Sequence, residues 1–225
     1  MTAVLHAKEK RDKVEITLAS RIDAEKARVQ ISRIFVEGFY EWIKFFSKDK
    51  STLRQAFSHM FNLNVFYVAL IGDEVAGFAS VCDRNENNIK LNRKELQKHL
   101  GLVMGFFAYR VLRKEFEDKQ YPFTFTDEMQ PIEFVATSSA YQRSGVASQI
   151  IRSIFENDPH GCFVLEVADT NTKAVALYQK LGFEEMASIK MKNSKQSGID
   201  HLLYMKYEKN KEGEMIYQNI PVVGV

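Results

Sequence analysis

Two short runs bring together residue types that could do chemistry. In "YQRSGVASQII", Tyr141 to Ile151, a strand-like apolar segment gives way to a helix-compatible one. The junction holds Gln142, Arg143, Ser144, Gly145, Val146 and Ala147. A helix N-terminus carries unpaired N–H groups and a partial positive charge, and successive turn amides can form an anion-binding nest. For a phosphate to reach those amides the closest side chains must be small, as at Gly145 and Ala147, and Arg143 adds a cation. An ordinary strand-to-helix turn would read the same way on this segment alone. The phosphate loop G-x-x-x-x-G-K-[ST] is absent, and only one glycine of the dinucleotide-binding fingerprint is present.

The second run follows a strand. "CFVLEVADTNTKAVALYQKLGFEEM" places Asn171 just past the strand and Tyr178 seven residues on, in a helix that ends in Leu-Gly-Phe. Taken in this order and spacing, the two runs resemble the GNAT superfamily of acyl-CoA-dependent N-acyltransferases. The family's phosphate loop, [Q/R]-x-x-G-x-[G/A], is matched by Gln142 to Ala147. Its later motif, N-x-x-A-x-x-x-Y-x-x-x-G-F, is matched by Asn171, Ala174, Tyr178, Gly182 and Phe183. The likeness is specific over 131–187 and looser in strand order from 14 to 208.

The resemblance implies roles residue by residue. The amides of Arg143 to Ala147 would hold the pyrophosphate of acetyl-CoA, with Gln142 opening the loop. The strand through Val135, Ala136 and Thr137 would pair with the pantetheine arm like an added strand, and the Val135 amide would face the thioester carbonyl. Asn171 would contact pantetheine, although it or Thr170 also suits the N-cap of the following helix. Tyr178 stands where the family often has a general acid for the departing thiolate. It equally fits a packed helical face with Ala174, Leu177 and Leu181.

Glu133 lies on the same strand. An amine acceptor starts protonated, with a pKa of about 10.4 for a lysine, so a carboxylate beside the cofactor could take its proton through water. An outward charge on a strand is also ordinary. Glu37, Tyr40 and Glu41 are further candidates for substrate contact. The implied enzyme is an N-acetyltransferase acting by direct transfer, with no metal. A non-catalytic acyl-CoA sensor would share the same loop. Small amines, antibiotics, peptide N-termini and protein lysines all remain open as acceptors, and so does a homodimer.

These residues need a scaffold to hold them. Alternation in "VEITLAS" predicts a strand at 14–20. A helix should run from 23 to 46 behind an Asp23 N-cap, and a short one over 51–61 behind Ser51 or Thr52. "NVFYVALIGDEVAGFASVCD" reads as a hairpin about Gly72-Asp73. Leu96, Leu100, Val103, Phe107 and Val111 share one helical face, which predicts a single inserted helix over about 93–117 that covers the substrate side. Its basic face reads as a solvated face over an apolar core, with a membrane-surface helix as the alternative. Aromatic residues Phe39, Tyr40, Trp42, Phe45 and Phe46 suggest core with a pocket-lining member or two. Pro131 should open the strand before the loop. Two strands at about 183–192 and 200–208 surround the "NSKQSGI" turn, and 209–225 is an edge strand or tail. The expected fold is α/β: one domain over 1–225 with a mixed, largely antiparallel sheet flanked by helices.

Composition narrows the classes. A chain of 225 residues with 45% hydrophobic and 27% charged residues has enough material for a sizeable core. A net charge of +2 gives no global reason to expect nucleic acid or a membrane surface. No secretory signal or bilayer-length apolar run is present, which predicts a cytoplasmic chain without integral membrane association. Cys82 and Cys162 sit in apolar runs as two buried, reduced thiols, and no Cys/His cluster has metal spacing.

Overall fold

Val14 and Ile16, packed against the core, lie on β1 (Val14–Leu18), which is followed by a 3₁₀ turn at Ala19–Arg21. Helix α1 (Ala24–Ile43) begins where the Asp23 carboxylate accepts the Lys26 amide at 2.8 Å. The next helix, α2 (Lys50–Phe57), is capped by Asp49 rather than by Ser51 or Thr52. One aspartate satisfies two amides, those of Ser51 (3.1 Å) and Thr52 (3.0 Å). The hairpin of β2 (Phe66–Ile71) and β3 (Glu74–Val81) turns at Gly72, whose φ of 60° suits a residue without Cβ. The computed structural model describes residues 13–81, 86–159, 161–191, 194 and 198–209. Cys82, most of the "NSKQSGI" turn and the tail from 210 lie outside them.

The region 93–117 is not one helix. It forms α3 (Arg93–Leu100) and α4 (Leu102–Leu112), followed by one π-helical turn at Arg113–Glu117. The break is Gly101, with φ 82° and ψ 164°, a conformation that β-carbon residues avoid. The apolar spacing continues through the break, so periodicity alone could not reveal it. Gly105 lets the two helices meet: a Cβ there would collide with the Gln97 backbone. Refolding the chain at Gly101 buries Leu96 but leaves Val103 in solvent.

The second half supplies β4 (Met129–Thr137), α5 (Val146–Asn157), β5 (Cys162–Ala168), α6 (Thr172–Lys180), β6 (Glu184–Lys190) and β7 (His201–Glu208). Strand β4 starts two residues before Pro131, which lies inside it. Helix α6 ends at Gly182, whose φ of 93° serves the C′ position. The sheet order is β1-β2-β3-β4-β5-β7-β6, antiparallel throughout except between β4 and β5. This is the mixed, largely antiparallel α/β fold expected. One hydrophobic core joins α1 to α4 to one sheet face, around Phe35, Phe57, Phe61, Phe66 and Phe78. The other joins α5 and α6 to the opposite face, around Ile150, Ile154, Phe163, Tyr178 and Phe183.

Candidate active site

The sheet opens at its centre. The parallel pairing of β4 with β5 covers only Met129 to Pro131 against Cys162 to Val164. Beyond these, β4 continues from Ile132 to Thr137 along β3 alone, and β5 continues along β7. The exposed strand edge between them is the kind that an extended, amide-bearing ligand can pair with.

A bulge sits where the strands part. Ser80 faces Glu133 and Phe78 faces Ala136, so β4 carries one residue more than β3 across this stretch. Phe134 takes φ 53° there. Simple alternation would place Phe134 on the same side as Ile132. Instead Phe134 packs in the first core against Phe116 and Phe66, whereas Ile132 and Val135 join the second. Strand β3 approaches closely at Gly77, where a Cβ would fall 2.8 Å from the Ala136 carbonyl oxygen and 2.8 Å from a Val146 methyl.

After β4 the chain makes a 3₁₀ turn at Ser139–Tyr141 and enters the loop. Gln142 is extended, Arg143 is left-handed at φ 64°, and Gly145 is left-handed at φ 80°. Gly145 is the N-cap of α5 and has no side chain to satisfy the first amides, which include those of Val146 and Ala147. A Cβ at Gly145 would meet nothing nearer than Gln149 Nε2 at 3.9 Å, so the space above it is open. The small residue is required by φ and not by crowding within the chain.

On the facing side, the Asn171 Oδ1 accepts the Ala174 amide at 3.3 Å and caps α6, the role that Thr170 was the other candidate for. Tyr178, buried one turn from the helix end, meets Phe183 edge-to-face at 5.8 Å. Burial pushes its phenol up to about 12, so it stays protonated at neutral pH. Val135, Tyr141, Val146, Ala174 and Tyr178 all belong to the second core, which brings strand, loop and helix residues together. Glu133 stands apart from them, on the other face.

There Glu133 is one member of a charged cluster that the sequence did not disclose. Its Oε2 accepts Asn88 Nδ2 at 2.6 Å; its Oε1 accepts Lys119 Nζ at 3.0 Å and the Tyr121 hydroxyl. Lys119 also lies 3.6 Å from Glu166 of β5, so its ammonium bridges the two strands that part. Burial alone would lower Lys119, but attraction to Glu133 and Glu166 outweighs it and holds the ammonium above its usual 10.5. The Tyr204 phenol is raised by burial and by its hydrogen bond and charge interaction with Glu166. Rings of Tyr121, Phe123 and Tyr204 cover the cluster, with Phe123 and Tyr204 5.5 Å apart. Lys119 and Tyr121 come from the irregular stretch after the π-turn, where no pattern marks them. Glu166 did leave a signal, as a lone carboxylate within the apolar run "CFVLEVA".

This bridge makes a stability prediction. Lys119→Met should lower stability by about 3 kcal/mol, because it leaves two part-buried carboxylates without their cation. Adding Glu166→Gln should recover part of the loss. The Lys119 pKa is raised on folding, so its contribution is complete below 10.5 and fades as pH rises through the higher folded value. Thermal melts of parent and variant should therefore converge only at strongly alkaline pH. Equal melting temperatures at pH 7 would show that the bridge contributes nothing.

Of the first-helix candidates, Glu37 pairs with Arg54 at 3.0 Å and Glu41 with Lys44. The Tyr40 hydroxyl donates to the Lys48 carbonyl at 2.9 Å. These partners account for all three without a ligand. Among the described residues no group of His, Cys, Asp or Glu is arranged to hold a metal ion.

A sequence profile of the Acetyltransferase (GNAT) family matches residues 29–183, which takes in the parting strands, the loop and Tyr178. The chain belongs to the GNAT acetyltransferase family. Solved structures agree with it in architecture at low identity. An N-acetyltransferase from Staphylococcus aureus Mu50 is 19% identical, with 85% of this chain and 99% of that one covered and a TM-score of 0.52. PH1933 from Pyrococcus horikoshii OT3 is 14% identical over 88% and 99%, with a TM-score of 0.53. A GNAT-family acetyltransferase from Bacillus cereus ATCC 10987 is 12% identical over 88% and 98%, at 0.51. Identities this low speak for the fold alone. No curated protein matches the sequence. Family membership makes this GNAT chain an acyltransferase.

Proposed function

We propose that this GNAT-family chain moves an acetyl group from acetyl-CoA directly to an amine. The observation that carries the reading is the parting of β4 from β5, with an uncapped helix N-terminus at the end of the same strand. Acetyl-CoA fits those features in sequence. Its pantetheine amides suit the β4 edge at Val135, Ala136 and Thr137. Its pyrophosphate suits the amides from Arg143 to Ala147, over a Gly145 with open space above it.

The donor supplies an activated thioester, and the acceptor nitrogen bonds to the acyl carbon as the carbon–sulfur bond breaks. The Val135 amide donates to the carbonyl oxygen as charge grows there. The protonated Tyr178 phenol donates towards the sulfur that takes up the electron pair. Glu133 receives the acceptor's proton through water. Its Oε1 already accepts from Lys119 and Tyr121, so Oε2, with one donor from Asn88, has the spare lone pair. Asn171 keeps α6 in register and offers its amide to pantetheine.

The test is acetyl-CoA-dependent thiol release across small amines, antibiotics, peptide N-termini and lysine peptides. At least one class should give turnover with a matching acetylated product. Tight acetyl-CoA binding with no turnover on any class would replace the enzyme by an acyl-CoA sensor.

A further inference from the structure

The side of α4 that the break at Gly101 turns outward is apolar. Leu102 is 76% exposed and Val103 84%, and Phe106 and Phe107 are also exposed. The turn after α1 extends the same surface: the Phe45 ring, 66% exposed, lies 5.6 Å from Phe107. Isolated exposed hydrophobics are normal, but Leu102, Val103, Phe106 and Phe107 on one helix with Phe45 against Phe107 are five large ones in a patch that needs a partner. Neither the loop nor the parting strands use any of them.

The α3–α4 segment that carries most of the patch is cationic. Lys90, Arg93, Lys94, Lys98, Arg110, Arg113 and Lys114 are all exposed, and residues 90–114 contain only Glu95 as an acid. That segment is strongly basic in a chain of net charge +2, so the remainder is acidic on balance. Arg113 is partly neutralised by Asp118 at 3.3 Å, and Lys98 by Glu95 at 3.4 Å. Arg110 and Lys114 line one surface concavity with Phe106 and Phe107, which puts charge and apolar rings side by side.

From this juxtaposition of exposed Leu102, Val103, Phe106, Phe107 and Phe45 with Arg110, Lys114 and the basic α3–α4 segment, we infer that α3 and α4 dock the protein on an anionic lipid surface. Apolar side chains at the α4 start enter the headgroup boundary while Lys and Arg meet lipid phosphates, the pattern of an interfacial helix. The proposed contact is peripheral, made by side chains of α4; among the described residues no helix is long and apolar enough to cross a membrane. A second copy fits this face less well, because a symmetric pair would bring two basic segments together. Nucleic acid would use the cations but leaves Leu102 and Val103 without a partner.

The test is co-sedimentation of the full chain with vesicles of phosphatidylcholine alone and of phosphatidylcholine with equimolar phosphatidylglycerol. The chain should bind the anionic vesicles and not the neutral ones. Raising salt from about 0.1 M to about 1 M, which shortens the Debye length from ~10 to ~3 Å, should weaken binding. Leu102→Glu with Val103→Glu should lower partitioning about 10-fold or more, the scale of one buried side chain lost. Both positions are outside the core, and circular dichroism with thermal melts confirms the fold. Lys94→Glu with Arg110→Glu should do the same by removing charge. Three results overturn the inference: no preference for anionic vesicles, binding that ignores the Leu102/Val103 pair, or a dimer in solution that this pair abolishes without any vesicle binding.

Discussion

Gly145→Glu is expected to abolish useful acetyl-CoA binding while the chain stays folded. Gly145 holds φ 80° as the N-cap of α5, and a Cβ there meets no atom of the chain closer than 3.9 Å. The substitution costs the left-handed strain of a residue with Cβ, about 1–2 kcal/mol. Its side chain fills the open approach to the helix amides and sets a carboxylate against the pyrophosphate. Losing two charge-assisted hydrogen bonds of about 1.5–2 kcal/mol each corresponds to a fall in affinity on the order of 10²–10³-fold. Gly145→Asn separates the causes, since Asn tolerates the left-handed region and brings no charge. Its loss should be much smaller than that of Glu. Calorimetry that finds parent-like acetyl-CoA affinity in folded Gly145→Glu would remove the phosphate from this loop.

The loop and α6 were legible in the sequence because their chemistry is local. A helix N-terminus needs small residues within a few positions of one another, and a capping Asn must stand beside the helix it caps. The hairpin at Gly72 and the helix end at Gly182 were legible for the same reason: glycine marks a left-handed backbone. What the sequence hid was non-local or broke a period. Gly101 interrupts a face whose apolar spacing runs on unbroken, so one helix was expected where two occur. The bulge at Phe134 moves a side chain across the sheet without altering the apolar pattern. Lys119 meets Glu133 and Glu166 only after the chain has folded back over diverging strands. Trp42 and Phe45 read as core because aromatics usually are, and nothing local marks those that remain in solvent.

Tyr178→Phe should lower kcat by about 10²-fold or more, the usual scale for a positioned acid. The structure makes this a clean substitution. The ring is buried against Phe183, and Phe keeps that contact while removing only the hydroxyl. Burial alone raises the phenol to about 12, so the proton is present throughout the neutral range. A phenol this reluctant to ionise gives little to the resting thioester. It gives most when negative charge develops on sulfur in the same dry surroundings, which places its effect in the transition state. Acetyl-CoA affinity should therefore change little while kcat falls. The rate should also show no loss that tracks tyrosine ionisation near its ordinary value of about 10. Such a loss, abolished in the Phe variant, would put the phenol in wetter surroundings than the second core provides. Full kcat in Tyr178→Phe on an accepted amine would leave Tyr178 as a packing residue and the thiolate to depart without its proton.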